Sequence, residues 1–339
     1  MALVAGVLAI MGWAILSAAS QDGPMATQQA DEAQGSRSER DGDHAPTPGS
    51  AQDRHTDQGA EHEQAPSTPR EILWSGSFEG DDWTESFGVV EESRTYADVV
   101  SEGPDDREDL LRITFGGQGD RWGIDYRMSL DELGLPGRNA VEQSYDAYFA
   151  PDFEFIGDGK FGGLAGIAEG VDPLEVSSGG SMDEGSFSAR AMWKADRGVV
   201  GYLYVLRADG RDFADPDNYG FGIQVPFVAA DGSTAEVLST GVWHRITHRV
   251  ALNTPGEANG IYQLEIDGHR GIDLDDVEFR GVSATQLFVN QIMSSWFFGG
   301  GADQFPTRPS TAYTADWTLS IADDLLQRDD GEPGGHRDR

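Results

Sequence analysis

Two short pairs carry the side chains best suited to chemistry in this chain: Ser188-Ala-Arg190 and, twelve residues further on, Tyr202-Leu-Tyr204. A guanidinium grips a carboxylate through parallel N–H donors, a phenol can give or take a proton when its pKa is brought toward the working pH, and a serine hydroxyl adds a hydrogen bond. Each pair is spaced i, i+2, which on a strand puts both side chains on one face. Ala195-Asp196-Arg197-Gly198 between them reads as a hairpin turn. Folding antiparallel about Asp196 sets Arg190 opposite Tyr202 and Ser188 opposite Tyr204, with facing Cβ atoms roughly 5 Å apart. The other face then receives Phe187 opposite Val205, Ala189 opposite Leu203 and Trp193 opposite Val199. One face is apolar and the other carries a hydroxyl, a guanidinium and two phenols. The geometry needs an odd loop, for which a three-residue loop closed by a glycine is a common form; an even loop throws Arg190 and Tyr202 onto opposite faces. The plainer reading of the same pattern is an amphipathic hairpin with a polar outer face.

The elements that must hold such a hairpin are short alternating runs between turn signals. They include 71–77, 109–115, 121–130, 145–155, 186–193, 199–206, 220–227, 243–252, 261–267, 286–298 and 316–321. Runs of this length and spacing predict an all-β fold, a jelly-roll sandwich. Tyr262, Leu264 and Ile266 point one way and Gln263 and Glu265 the other, and Asp267-Gly268 follows as a tight turn. Helical periodicity is nearly absent, with one terminal turn expected over Asp323–Gln327. His244 and His248 share a strand face with Ile246 and Val250, but i, i+4 on a strand separates them by about 13 Å, too far for one metal ion. They are read as core-edge residues.

The folded domain is expected over residues 71–326 of the 339, a size that permits one all-β domain with a substantial core. Residues 1–20 are almost wholly apolar, about long enough to span a bilayer, with small residues at Ser17-Ala18-Ala19 suited to cleavage. No Lys or Arg precedes Arg37, which leaves a signal peptide, an uncleaved N-terminal anchor and a misassigned start as readings. All three imply export, to a secreted or extracytoplasmic location, with a membrane tether if the segment is retained. Residues 21–70 hold one bulky apolar residue, Met25, and are read as a disordered polar linker. Their histidines, His44, His55 and His62, form no ligand cluster. The charged, Gly- and Pro-containing tail from 327 to 339 is read as frayed.

There is no cysteine, so neither a disulfide framework nor a thiolate site is available. The net charge is −35, and Lys160 and Lys194 are the only lysines among 24 basic residues. Such acidity excludes a nucleic-acid partner, which demands a basic face, and suits a hydrated surface in a high-salt habitat. No metal or other cofactor is implied, and the chain is expected to act as a monomer.

The order of motifs resembles that of family 14 polysaccharide lyases. It runs from Tyr145-Asp-Ala-Tyr148-Phe149 through Gly159-Lys160-Phe161-Gly162-Gly163-Leu164 and Ser188-Ala-Arg190-Ala-Met192-Trp193 to Tyr202-Leu-Tyr204. Leu252-Asn253-Thr254-Pro255-Gly256 with Asn259-Gly260, and Phe297-Phe298-Gly299-Gly300, belong to the same resemblance, which covers residues 71–322. It implies a β-jelly roll with a groove across a concave sheet, an acidic polysaccharide as substrate, and β-elimination of alginate or glucuronan. The family's functional lysine, serine, arginine and tyrosine pair fall on Lys160, Ser188, Arg190, Tyr202 and Tyr204. The lysine loop departs from the family's tendency toward Lys-Leu-Pro-Gly-Leu, reading Lys-Phe-Gly-Gly-Leu, and segment 169–185 is long, rich in Ser, Gly and acids, and suited to cover the groove.

Elimination beside a uronate carboxylate removes the C5 proton and expels the oxygen on C4. Arg190 and Lys160 would stabilise the enolate-like charge that develops. Two adjacent cations are expected to lower a tyrosine pKa from about 10, making Tyr202 or Tyr204 the base, with Ser188 bonding the carboxylate or sugar. Mannuronate and glucuronate present their leaving groups syn, so one phenol cluster serves both; guluronate needs groups on opposite sides. A non-catalytic carbohydrate-binding jelly roll is the main alternative, since the fold hosts both roles. A glycoside hydrolase would need two carboxyl groups about 5 to 9.5 Å apart, and no acidic motif stands out.

Overall fold

A computed structural model describes residues 70–327 apart from 81, 95, 117–119, 219 and 220. The expected leader at 1–20, the linker to residue 69 with its three histidines, and the tail from 328 lie outside the described residues. The strands among them are β1 (Ile72–Gly76), β2 (Val89–Arg94), β3 (Ala97–Val100), β4 (Leu110–Phe115), β5 (Trp122–Ser129), β6 (Ala140–Phe149), β7 (Gly159–Ile167), β8 (Ser186–Trp193), β9 (Val199–Tyr204), β10 (Arg207–Ala208), β11 (Arg211–Asp212), β12 (Ile223–Pro226), β13 (Trp243–Ala251), β14 (Gly260–Ile266), β15 (His269–Val277), β16 (Gln291–Phe298) and β17 (Ser310–Ile321). One sheet runs β15-β14-β13-β6-β17-β4-β3 with β1 also on β17; the other runs β12-β9-β8-β7-β16-β5-β2. Every named pairing is antiparallel, and many neighbours in a sheet are distant in sequence, which makes this the jelly-roll sandwich that the alternating runs predict.

The core lies between the sheets. Tyr145, Phe149, Ile246, Leu264 and Trp317 from one inner face join Phe161, Phe187, Trp193, Trp296 and Phe298 from the other in a single cluster. Trp193 stacks on Phe161 at 5.8 Å, and Tyr145 stacks on Trp317 at 4.3 Å. His248 is part of this interior. Its Nδ1 lies 3.2 Å from the Tyr262 hydroxyl, and burial holds its pKa down to about 3, so it stays neutral. His244 is bonded instead to Asp267 at 2.8 Å. The Asp267-Gly268 turn has both residues at positive φ, 53° and 79°, the type I′ geometry that matches strand twist.

Two expectations change. The Gly159–Leu164 segment, read as a loop, is strand β7. Its glycines are there for close approach: a Cβ on Gly159 would lie 1.8 Å from the Trp193 ring, and one on Gly163 2.2 Å from the Ala189 carbonyl oxygen. The hairpin between β8 and β9 has the odd loop centred on Asp196, but Arg197, not a glycine, holds the left-handed position at φ 64°. Gly198 serves a different need, since a Cβ there would sit 2.4 Å from the Thr234 oxygen.

Candidate functional site

The β8–β9 ladder pairs Ser188 with Tyr204, Ala189 with Leu203, Arg190 with Tyr202 and Trp193 with Val199. Ala189, Leu203 and Trp193 join the core, as do Phe187 and Val205, the latter one residue past β9. The four polar side chains therefore share the outer face of the seven-stranded sheet. Lys160 joins them from β7. Its register partner is Met192, and Gly163, three residues on, faces Arg190. Simple alternation would put those two positions of β7 on opposite faces. The register shift between Phe161 and Gly163 restores the parity, and Tyr145 secures it by donating its hydroxyl to the Gly162 carbonyl at 3.1 Å. The sequence motif around Tyr145 thus acts from the core side.

The five candidates are close together. The Tyr202 and Tyr204 hydroxyls are 3.1 Å apart. The Arg190 guanidinium carbon is 5.5 Å from the Tyr202 ring centroid and 6.0 Å from that of Tyr204. The Lys160 ammonium lies 5.0 Å from the Tyr202 centroid and 4.7 Å from that of Phe297. Phe297 borders the cluster without being one of the five candidates, and its place between the core residues Trp296 and Phe298 marks it by alternation as facing outward. Gly299 lets Lys160 in: a Cβ there would be 3.0 Å from Nζ. The other lysine, Lys194, is paired with Asp158. Asn253, from the Leu252–Gly256 motif, is structural. Its amide donates to the carbonyls of Thr254, Glu257 and Arg280, and its oxygen accepts from the Phe279 and Arg280 amides.

This face is covered. Ser188 is fully buried, Arg190 is 2% exposed and Tyr202 4%. Ser188 Oγ donates to the Ser177 carbonyl at 2.7 Å, and the Gly180 amide donates to the Tyr204 hydroxyl at 2.9 Å. Val176 packs on Ala165 and Met293 of the sheet, while Met182 and Phe213 lie against the tyrosines. Segment 171–185 therefore lies over the hairpin and occupies hydrogen-bonding groups that a ligand would use.

Burial also corrects the expected tyrosine pKa. The Tyr202 phenol is pushed up, chiefly by desolvation and then by its bond to Tyr204, and the neighbouring Arg190 and a Gly222 amide donor only partly offset this. Lys160 moves the other way, down to about 7, through burial first and the positive charge of Arg190 second. Arg190 is itself lowered by burial. It forms no ion pair among the described residues, and its buried Nε has no hydrogen-bond partner. A buried guanidinium without a carboxylate is costly and fits a site awaiting an anion. No group of three or more potential metal ligands occurs among the described residues.

The family model for polysaccharide lyase 14 matches residues 113–315, a span that contains all five candidates. Among solved structures, the chain is similar to the marine PL-14 alginate lyase from Aplysia kurodai, at 20% identity and TM-score 0.61, over 74% of this chain and 99% of that one. It is also similar to an alginate lyase from a Chlorella virus, at 19% identity and TM-score 0.57, over 74% of this chain and 100% of that one. No curated protein matches the chain.

Proposed function

Because the chain belongs to the polysaccharide lyase 14 family, and is thus a polysaccharide lyase, we propose that it cleaves a uronate polymer, polymannuronate or glucuronan, by β-elimination at the Lys160–Ser188–Arg190–Tyr202–Tyr204 cluster. The observation that carries the reading is the buried Arg190 guanidinium, which lacks a carboxylate partner and is flanked by two phenols and a second cation. A uronate carboxylate laid on Arg190 supplies the missing counter-charge. Its C5 then lies within reach of the phenol pair.

In the step itself the C5–H bond breaks and its proton passes to the phenol pair. The electron pair left on C5 forms the C4–C5 double bond, and the C4–O bond breaks with O4 taking a proton. Arg190 and Lys160 offset the negative charge that spreads onto the carboxylate. The coupled phenols act as a unit, one accepting the C5 proton while the other holds a proton for O4. With Tyr202 pushed up by burial, the covered site keeps that phenol protonated, so the base forms only once the cover lifts and the carboxylate has brought Lys160 back to its charged form. Both phenols lie on one side of the sugar, which favours the syn elimination of mannuronate or glucuronate over guluronate. The apolar segment 1–20 supports export of the enzyme.

The test is ultraviolet absorbance on mixing the full chain with polymannuronate, glucuronan or polyguluronate, beside a Tyr202→Phe, Tyr204→Phe double variant of unchanged circular dichroism. The expected result is rising absorbance from the new double bond with one of the first two polymers, lost at least a thousandfold in the variant, about 4 kcal/mol of barrier. Binding without any rise on any polymer would replace the reading with a carbohydrate-binding module, and equal turnover of polyguluronate would remove the stereochemical part.

A further inference from the structure

One row of the outer sheet face extends beyond the cluster. Register pairs Lys160 of β7 with Phe297 of β16, and Phe297 with Trp122 of β5. Two strand spacings, about 10 Å, therefore carry the row from Lys160 to Trp122. Four of the seven tryptophans among the described residues are core: Trp83, Trp193, Trp296 and Trp317 are at most 1% exposed. Trp122 is 38% exposed. Its ring lies 4.7 Å from that of Phe297, tilted by 37°. The Arg121 guanidinium sits 5.0 Å from the Trp122 centroid and 6.0 Å from that of Phe297. Nothing in the proposed elimination uses this arrangement.

We propose that Trp122, Phe297 and Arg121 form an outer sugar subsite that holds a second uronate residue of the same polymer chain. This rests on the lyase reading above and names where the rest of the substrate lies. An aromatic surface accepts the apolar face of a pyranose ring, and the guanidinium beside it takes the carboxylate. Charge complementarity selects the occupant. In a chain of net charge −35, Arg190, Lys160 and Arg121 follow one another across the strands, and Arg190 and, more weakly, Arg121 act on the Lys160 ammonium against the nearby Asp158 carboxylate. Cations on β8, on β7 and beside β5 in turn suit a chain that bears one carboxylate per sugar, and the Trp122–Phe297 ring pair lies at the β5 end. A neutral polysaccharide would use the rings without the arginine.

The experiment measures kcat and KM on the cleaved polymer and on a size series of its oligomers, for wild type, Trp122→Ala, Trp122→Phe and Arg121→Gln. Trp122→Ala raises KM on the long polymer about tenfold, Trp122→Phe keeps most of the affinity, and Arg121→Gln raises KM severalfold. The differences vanish on oligomers too short to reach from Lys160 to Trp122. Quenching of tryptophan fluorescence by long oligomers, lost in Trp122→Phe, reports the same contact without turnover. An active wild type whose KM is unmoved by Trp122→Ala at every length overturns the subsite and leaves the lyase reading standing. So does a loss that is equal on short and long oligomers. A wild type that makes no unsaturated ends from any uronan overturns the lyase reading itself.

Discussion

Val176 offers a direct handle on access to the site. It is 4% exposed and packs on Ala165 and Met293, anchoring the segment whose Ser177 carbonyl and Gly180 amide engage Ser188 and Tyr204. Because Ser188 and Tyr204 are fully buried, a polymer binds only the form in which this segment has moved aside. Apparent affinity is then scaled by the fraction of molecules that are open. Val176→Ala removes two buried carbons, at about 0.8 kcal/mol each, and so weakens the closed form by about 1.5 kcal/mol, roughly tenfold in the opening constant. KM for the polymer should fall by up to about tenfold, with kcat little changed. Amide hydrogen exchange should quicken by a similar factor in 171–185 and not in β8. Steady-state kinetics and exchange mass spectrometry on the same preparation test this. Faster exchange with KM unchanged or raised would refute the reasoning, because the segment would then be a wall of the groove and not a cover over it.

Lys160 sets the expected pH dependence. Its pKa of about 7 in the free protein leaves it neutral above that pH, whereas a bound carboxylate favours the ammonium. Binding must therefore take up a proton, and KM should rise from about pH 7 upward, by as much as tenfold per unit. Lys160→Arg stays charged and should flatten the profile; a flat wild-type profile would exclude Lys160 as the titrating partner of the substrate. Salt should raise activity from a low starting value, since the chain of net charge −35 repels a polyanion over about 10 Å at 0.1 M but only about 3 Å at 1 M. Maximal kcat/KM in salt-free buffer would contradict this.

The hairpin shows how far local pattern reaches. The i, i+2 pairs and the five-residue connection define which side chains face one another, and the β8–β9 register follows them pair by pair. Strand β7 was illegible for the opposite reason. Its glycines read locally as a loop, and their purpose emerges only against partners far away in sequence, the Trp193 ring and the Ala189 carbonyl. Arg197 shows the limit of turn chemistry. The loop length required a left-handed residue, but the glycine beside it was needed more by Thr234.

By itself, then, the sequence determined the alternation that makes a sandwich, the pairing that an odd loop gives Ser188, Arg190, Tyr202 and Tyr204 on one face, and the net charge of −35. Those are properties of neighbours along the chain, or sums over it. Tertiary structure alone decided that a register shift held by Tyr145 brings Lys160 to the same face, that segment 171–185 lies over the cluster, and that the Tyr202 phenol is raised where the count of nearby cations predicted a fall. Each depends on which distant segments exclude water from a group. Desolvation has no signature in local spacing, and at this site it outweighs the charges that do.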